Sequence, residues 1–468
     1  MIGRDRPTPQ PERKTAVKKG KREGTSLCFM TPNHRPLKVA VLVELLDGPE
    51  AGGHVKCWQR FADAARRLEG AIDLTVFFLG RRAGREEIAP NVRFERLVPM
   101  IPTDRIPGLP RSLPMTDLAP HHPALARRLM DFDVLHATSA FSFARTARRV
   151  ARRRRLPLVT SIHDNLPGLT RAYMRHVIGT TRAARLVLGR LKFDQIAARA
   201  NGRTFKRIVT ASDWVLASCD EDVTGLGVAT GTVRQSRLRR GIDKTVFDPR
   251  RRDRAWLHRE FGVPENVPLL LFVGRIDDSK SVLRLADAAQ RLLAEGQPLH
   301  VLVVGAGARA IDIQRQLGTH VTLPGVVPHP VLARVYASAD MFVFPSETEI
   351  VPNVVLEARA SGLPVVLSAR DNGASLVAEA GLDGLIVESS APEAWTSAIR
   401  SLLDNPERRV AMGAEARRRI ERDWPTWDDV LATDLMPVWR RVTALRQGAS
   451  NPTFFSMPVL SSARHGLL

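Results

Sequence analysis

Cysteine is scarce in this chain, and no apolar run is long enough to cross a membrane. Only three of the 468 residues are cysteines (Cys28, Cys57 and Cys219), and none belongs to a C-x-x-C pair. Such isolated thiols argue against a disulfide framework or a zinc cluster. The longest apolar stretches, such as Val267–Val273, fall far short of the ~20 residues that a spanning helix needs. No apolar segment follows the basic N-terminal residues, so we expect no secretory signal and a cytoplasmic protein.

The rest of the composition is ordinary for a globular protein, with 44% hydrophobic and 25% charged residues. That balance excludes a chain that is disordered throughout. At roughly 100–200 residues per domain, the length predicts two to four domains.

Acidic residues are too few to balance the arginines, and the imbalance is confined to the first half of the chain. The net charge is +21, with 70 Lys and Arg against 49 Asp and Glu. Residues 1–207 carry a net charge of +22, whereas residues 208–468 carry −1. A general bias towards arginine would act on both halves, although composition alone remains the alternative explanation. We therefore interpret the excess as a basic face for a polyanion: nucleic acid, anionic lipid or a phosphorylated substrate.

Short apolar runs of strand type alternate with helical segments in two successive series. The first series begins at Lys38–Leu45 and the second at Leu269–Val273. This alternation predicts an α/β protein with parallel sheets covered on both faces. Five prolines between positions 99 and 114 predict a long irregular loop from Leu79 to Val134. We place the units at 1–36 (disordered basic tail), 37–245 and 246–425 (two Rossmann-like domains), 426–446 (C-terminal helix) and 447–468 (tail).

Two carboxylates flank a predicted loop-to-helix junction. Glu349 lies in the loop and Glu357 about one turn inside the helix that begins near Val354. The free N–H groups and the dipole at a helix N-terminus favour phosphate. Two carboxylates on either side of that point could contact two ends of one polar ligand. On spacing alone, ordinary surface acids at a helix start remain the alternative.

The residues around this junction carry a family resemblance. The segment Glu349-Ile-Val-Pro-Asn-Val-Val-Leu-Glu357 resembles the E-x7-E signature of the family 4 retaining glycosyltransferases, which have the GT-B fold. The resemblance spans about residues 38–446 and is most specific over 237–367. It implies two doubly wound, Rossmann-like domains facing a central cleft, with the C-terminal helix crossing back to the N-terminal domain. Further matches occur in the family's order, at Arg240-Gly-Ile-Asp243, Phe272-Val-Gly-Arg275 with Lys280, and Gly325-Val-Val-Pro-His329.

The resemblance also implies roles for residues of the second domain. Arg275 and Lys280 are expected to clamp the diphosphate of a nucleotide-sugar and to stabilise its growing charge as the sugar leaves. Glu357 is expected to accept hydrogen bonds from the ribose, and Glu349 to hold the donor sugar. Pro352 replaces the family's usual glycine and has no N–H, so the distal phosphate must be met by the backbone of Asn353 or Val354. Val326 belongs to the loop on the nucleobase side.

In the first domain, three further positions match the family. Gly52 and Gly53 follow the first strand, where glycine lets a backbone approach phosphate or sugar closely. His163 ends a strand in a Thr-x-x-His context and is expected to hydrogen-bond the donor sugar. The resemblance implies a retaining, metal-independent hexosyltransferase without a protein nucleophile or a bound cofactor, the nucleotide-sugar being a substrate. No Asp-x-Asp motif suggests a metal.

Two departures from the family pattern fall at positions expected to help select the donor sugar. Ser279 stands where the family has an acid before the lysine. The segment 371–375 lacks the acid that the family carries after the preceding strand.

The basic half suggests where the acceptor is met. Arg175, Arg182 and Arg185 recur at helical spacing beside an apolar stripe, which is typical of an amphipathic helix at an anionic membrane surface. A core-packed helix with a solvated basic face is the alternative. We therefore expect transfer from a UDP- or GDP-sugar to a lipid or lipid-linked acceptor, at the inner face of the cell membrane. Transfer to a soluble, polysaccharide or lipopolysaccharide acceptor is the alternative.

Two other classes of protein fit the sequence less well. A nucleic-acid-binding module would interleave aromatic residues with the basic ones for base stacking, and residues 171–207 hold only Tyr173, Phe193 and Phe205. A sugar-nucleotide epimerase or a non-catalytic binder with the GT-B fold is the remaining possibility.

Overall fold

A computed structural model gives the fold, which belongs to a compact unit that begins at Pro36. The structure describes residues 35–448 except 49–50, 106–114, 164–169, 171–173, 175–177, 179–191, 219, 226–227, 229–230, 348–350 and 371.

The first sheet has eight strands in the order β3-β4-β2-β1-β5-β6-β7-β8. Neighbouring strands are parallel except for β3 and β4, which form an antiparallel pair at one edge. The central strands are almost wholly apolar because helices cover both faces of a parallel sheet. The strands are β1 (Leu37–Leu46), β2 (Ile72–Leu79), β3 (Gly84–Ala89), β4 (Val92–Leu97), β5 (Val134–Ala137), β6 (Leu158–Ser161), β7 (Trp214–Ala217) and β8 (Gln235–Arg237).

The second sheet has six strands, all parallel, in the order β11-β10-β9-β12-β13-β14. The change of sheet falls between the end of β8 and the start of β9, and the boundary at 245/246 stays a prediction. The strands are β9 (Leu269–Val273), β10 (His300–Val304), β11 (Val321–Gly325), β12 (Met341–Phe344), β13 (Val365–Ser368) and β14 (Leu385–Val387).

The α-helices that we discuss lie between these strands and at the C-terminus. They are α1 (Gly53–Ala65), α2 (Pro123–Arg128), α3 (Ser142–Arg154), α4 (Phe193–Val209), α5 (Asp220–Thr224), α6 (Arg254–Phe261), α7 (Leu283–Ala294), α8 (Ala310–Leu317), α9 (His329–Ser338), α10 (Asn353–Ala360), α11 (Pro392–Leu403), α12 (Pro406–Asp423), α13 (Trp427–Val430) and α14 (Met436–Arg446).

The stretch expected to be a long irregular loop contains regular structure. Strands β3 and β4 extend the first sheet, and α2 precedes β5. The prolines misled the prediction because they fall after β4 rather than within it. Arg96 on β4 is paired with Asp47 just beyond β1 and with Glu86 on β3, which ties the added hairpin to the sheet.

The last helical segment returns from the second sheet to the first, as the fold family predicted. It is a broken helix, because a π-helical turn at Leu431–Leu435 separates α13 from α14. Its apolar residues belong to the core of the first domain, where the Trp427 ring meets Phe61 edge-on at 5.0 Å. The Trp439 indole N–H donates to Nδ1 of His136 at 3.2 Å. The C-terminal segment therefore completes the N-terminal core.

The chain that links the two sheets passes closely beneath this segment at Gly241. A Cβ at that position would lie 2.5 Å from the backbone N of Trp427 and 2.6 Å from its Cα. Ile242 N–H also donates to the Pro425 carbonyl at 3.1 Å. Only glycine fits there, because the obstructing atoms belong to the backbone and cannot rotate away.

We therefore expect Gly241→Ala to lower the free energy of unfolding by about 1–3 kcal/mol, the usual cost of overpacking. Gly84→Ala is the matched control, since among the described residues no atom lies within 4 Å of its added Cβ. Urea denaturation of both variants measures the difference. Equal stability of the two would show that the close approach at Gly241 is not required.

Candidate active site

The two domains meet at the carboxyl ends of β1 and β12, a central strand of each sheet. The chain leaves β1 towards Gly52 and Gly53, and it leaves β12 towards Asn353. A Cβ on Gly53 would lie 3.8 Å from Nδ2 of Asn353. Both predicted donor-binding segments thus face one another across a cleft, at the position where doubly wound sheets bind ligands.

The start of α10 presents free backbone donors. Its N-cap is Pro352, which makes no side-chain capping bond, and Asn353 and Val354 supply the first N–H groups. Within the described residues, the buried Oδ1 of Asn353 has no hydrogen-bond partner. Uncapped N–H groups at a helix start are suited to an anion. The prediction for this pair of residues agrees with the local geometry, while their contact with a donor stays a prediction.

Arg275 is held in place by its own loop, directly after β9. Its Nη2 donates to Oγ of Ser279 at 2.9 Å, and its Nη1 lies 3.3 Å from Oδ2 of Asp277. Ser279 therefore orients the arginine, although the family pattern has an acid at that position. Lys280 ends the short 3₁₀ turn Asp278–Lys280 in the same loop. Both predicted cations thus lie at the carboxyl end of the strand next to β12.

This loop packs on the one after β10 through glycine. Gly305 adopts φ +141°, and a Cβ there would lie 1.9 Å from the carbonyl oxygen of Gly274. The two loops can therefore meet only where side chains are absent, and this contact fixes the start of the arginine loop.

Two cations from the first domain act on the donor side of the cleft. Burial raises the pKa of the half-buried Glu357, while the neighbouring Tyr336 hydroxyl, Lys56 and Arg60 lower it. Lys56 and Arg60 lie on α1, one turn and two turns beyond Gly53. Burial, assisted by the same two cations, lowers the pKa of His329 to about 4. The sequence reasoning missed Lys56 and Arg60, because their relation to Glu357 arises only across the cleft.

His163 lies in a buried histidine cluster. Its ring stacks on that of His54, with the ring centroids 4.2 Å apart, and its Nε2 is 2.7 Å from Oγ of Ser161. In the described part of the chain, its Nδ1 has no hydrogen-bond partner. Burial, then the charges of His54 and Arg240, hold the pKa of His163 well below its ordinary value. The imidazole is therefore neutral near pH 7.

A second histidine connects this cluster to the C-terminal segment. Because the Trp439 N–H donates to Nδ1 of His136, the proton of the neutral His136 ring belongs on Nε2. The Trp58 ring meets His136 edge-on at 5.0 Å and His163 at 6.1 Å. Burial, followed by the charge of His54, lowers the pKa of His136 to about 3. His54 was not predicted, although it directly follows the two glycines.

Arg240 is a buried cation behind this cluster. It is 8% exposed, and its Nη1 lies 3.0 Å from Sγ of Cys57. Its backbone carbonyl accepts the Trp424 indole N–H at 2.7 Å, so the end of α12 holds this part of the linker in place. Burial lowers the pKa of His54 to about 3, and the charge of Arg240 adds to that effect. Arg240 thus helps to keep the histidines uncharged.

Some predicted residues cannot be placed. Glu349 and the three arginines Arg175, Arg182 and Arg185 lie outside the described residues. Val326, 43% exposed, follows β11 at the rim of the second domain.

Comparison with known proteins identifies the class that this fold and cleft define, the GT-B glycosyltransferases. Residues 51–221 match the model of Glycosyltransferase Family 4, and residues 253–419 match that of Glycosyl transferases group 1. This chain belongs to the family 4 glycosyltransferases. The family predicted from the sequence is confirmed.

The chain is similar over most of its length to a named enzyme. It is 28% identical over 407 residues to D-inositol 3-phosphate glycosyltransferase 1 of Catenulispora acidiphila, covering 82% of this chain and 90% of that protein.

Two solved structures share the fold. Sucrose-phosphate synthase from Thermosynechococcus elongatus superposes with a TM-score of 0.65 at 18% identity, over 87% of this chain and 100% of that one. Anabaena HepE in complex with UDP-glucose superposes with a TM-score of 0.60 at 14% identity, over 88% of this chain and 100% of that one.

Among the described residues, no helix has the length and hydropathy to span a bilayer. Nor does that part of the chain bring together three or more His, Cys, Asp or Glu side chains as a metal site.

The neutral histidines make stability depend on pH. His136 has a pKa of about 3 in the folded protein against an ordinary value of 6.5. Between these values only the unfolded chain binds the proton, so stability is full above pH 6.5 and declines as the pH falls towards 3. From pH 7.5 to pH 5, His136 alone should cost about 2 kcal/mol of unfolding free energy.

We therefore expect His136→Gln to unfold with a smaller pH dependence than the wild type over pH 5–7.5. The measurement is urea denaturation at a series of pH values. His320→Gln, at an exposed histidine, serves as the control and should keep the wild-type dependence. An unaltered dependence in His136→Gln would mean that His136 is not buried as a neutral ring.

Proposed function

We propose that this glycosyltransferase moves a hexose, with retention of configuration and without a metal, from a UDP- or GDP-sugar to a soluble polar acceptor. The observation that carries the proposal is the meeting of Gly53 with Asn353 at the uncapped start of α10. A phosphate-bearing donor placed there would contact both domains at once. HepE, which shares the fold, was solved with UDP-glucose, and this supports a nucleotide-sugar donor.

In this proposal the second domain holds the donor. Arg275 and Lys280 bind the diphosphate, and the first N–H groups of α10 meet the distal phosphate. Glu357 accepts hydrogen bonds from the ribose hydroxyls, and the exposed Val326 packs against the nucleobase. The half-exposed Arg275 is oriented before any ligand arrives, so little reorganisation is needed when charge develops.

The transfer step needs no protein nucleophile. The bond between the anomeric carbon and the diphosphate oxygen breaks, and the acceptor oxygen bonds to the same face of that carbon. The acceptor hydroxyl gives its proton to the departing phosphate. His163, neutral and with Nδ1 available within the described residues, hydrogen-bonds the donor sugar.

A phosphorylated cyclitol is the first acceptor to test. Its support is the similarity, over 82% of this chain and 90% of that protein, to an enzyme named for D-inositol 3-phosphate. Purified protein would be incubated with a panel of UDP- and GDP-sugars, with inositol phosphates or without an acceptor, and products read by mass spectrometry. A glycosylated inositol phosphate is expected, formed only when donor and acceptor are both present. Release of monosaccharide alone, whatever the acceptor, would contradict transfer.

The diphosphate clamp, which consists of Arg275 and Lys280 in this proposal, gives a sharper test. Arg275→Ala and Lys280→Ala should each lower turnover by about 100-fold or more, because a cation facing developing charge is lost. Glu349→Ala should likewise abolish transfer. Arg315→Ala, a change at an exposed arginine on α8, is the control. Circular dichroism checks the fold of each variant, and near-normal turnover in the clamp variants would refute the assignment.

A lipid-linked acceptor is the second candidate, favoured by one observation. The net charge of +22 lies in residues 1–207, and α3 carries five arginines in its last seven positions, Arg148–Arg154. Each basic residue near an anionic leaflet contributes about 1 kcal/mol to binding. The enzyme would then work at the inner face of the cell membrane.

For this candidate, Arg175→Gln, Arg182→Gln and Arg185→Gln together should reduce sedimentation with phosphatidylglycerol vesicles. Hydrolysis of the soluble donor should change less than vesicle binding does. An equal loss of donor hydrolysis and vesicle binding would rule out the lipid-linked acceptor. So would the absence of vesicle binding by the wild type at moderate salt.

A further inference from the structure

A second concave site lies at the opposite end of the first sheet from the cleft. A pocket of about 260 Å³ is lined by residues at the end of α3, the start of β6, the turn before β7 and the end of α14. Leu158 begins β6 in this pocket, whereas His163 follows the carboxyl end of the same strand. At about 3.3 Å per residue along an extended chain, the two sites are about 16 Å apart. The pocket therefore does not belong to the donor cleft.

Its walls are strongly basic. Four arginines are among its lining residues, Arg148, Arg152, Arg155 and Arg446, together with one acidic residue, Asp213. The floor is apolar and formed by Ala151, Leu156 and Leu158.

The single carboxylate cannot neutralise the four arginines. Oδ1 of Asp213 is 2.6 Å from Nη2 of Arg446, and its Oδ2 accepts the Leu158 N–H at 2.9 Å. Within the described part of the chain, Arg148, Arg152 and Arg155 have no ion-pair partner. These three arginines thus line one hollow, and a bound anion would reduce the repulsion among them.

The helix dipole accounts for only part of this arrangement. Cations are favoured in the last turn of a helix, and that explains arginines near the end of α3. It does not explain why side chains from α3, the following turn and α14 line the same pocket.

The backbone conformation of Arg155 is a second observation at this pocket. It takes the left-handed conformation that closes α3, with φ 55°, and Leu156 N–H donates to the Ala151 carbonyl at 3.0 Å. Glycine is the residue usually found in that position, since a side chain is strained there. Arg155 therefore lines the pocket from a backbone conformation that costs free energy.

We propose that this pocket, defined by Arg148, Arg152 and Arg155, binds a soluble small molecule with two or more phosphate charges. Arginine suits such a ligand because its planar fork donates two parallel hydrogen bonds to phosphate oxygens. The apolar floor would lie against the carbon part of the molecule. The site is separate from the donor cleft and does not depend on the proposed transfer reaction.

Inorganic tripolyphosphate is the probe, titrated into the full-length protein by calorimetry at moderate salt. Arg155→Gly removes one cation and also relieves the backbone strain, so the variant should fold at least as well as the wild type. We expect it to weaken binding at this site about tenfold or more, the effect of losing a charge-assisted contact. Arg155→Lys, which keeps the charge but loses the planar fork, should weaken binding less than Arg155→Gly does.

Arg153→Gln is the matched control. Arg153 lies in the last turn of α3, two residues before Arg155, is exposed and does not line the pocket. Lys280→Ala separates the two sites, since it affects only tripolyphosphate bound in the cleft. If the cleft assignment fails, Lys280→Ala changes nothing while Arg155→Gly still weakens binding.

Three results would overturn the proposal. Equal weakening by Arg153→Gln and Arg155→Gly would mean a diffuse positive field rather than a site. Binding to phosphatidylglycerol vesicles through Arg155, without binding of tripolyphosphate, would make the pocket a membrane contact. Tripolyphosphate binding unaffected by Arg155→Gly would place every bound anion elsewhere.

Discussion

The return of the C-terminal segment to the first sheet is the packing on which the active site depends. Gly241 lets the linker pass beneath Trp427, and the Trp439 indole N–H bonds His136 within the first core. The Trp58 ring lies against both His136 and His163, so it connects the first core to the histidine at the cleft. The last helix of the chain therefore supports a predicted substrate-binding histidine more than 270 residues earlier in the sequence. The linker and this helix also join the two domains that form the cleft.

Electrostatics divide the cleft into two parts with different chemistry. The histidines on the first-domain side are neutral because they are buried and because Arg240 stands behind two of them. As neutral rings they can hydrogen-bond a ligand but bring no charge to it. Besides Arg240, three cations lie nearer the second domain: Arg275 in its own loop, and Lys56 and Arg60, which lower the pKa of Glu357. The cleft thus has uncharged imidazoles on one side and permanent positive charge towards the other.

The sequence predicted local elements well and spatial neighbours poorly. Strand β9 has the expected bounds, and β1 extends one residue beyond the expected run at each end, because each is an apolar run ended by a turn signal. Strands β3 and β4 were missed because β3 is exposed and polar. Gly53 and Asn353 were both predicted to bind the donor, each from its own motif. Lys56, Arg60, His54 and Arg240 were not predicted to act at the site, since no local pattern distinguishes a cleft residue from any other helix or linker residue.

The family, the α/β class and the segments predicted to bind the donor could be read from the chain, because turn glycines, helix starts and apolar periodicity are local properties. The relations between distant residues became visible only in the folded protein: the neutral state of His163, the orientation of Arg275 by Ser279, and the lining of one pocket by Arg148, Arg155 and Arg446. Burial and charge proximity depend on residues that are distant along the chain, so folding alone brings their effects together.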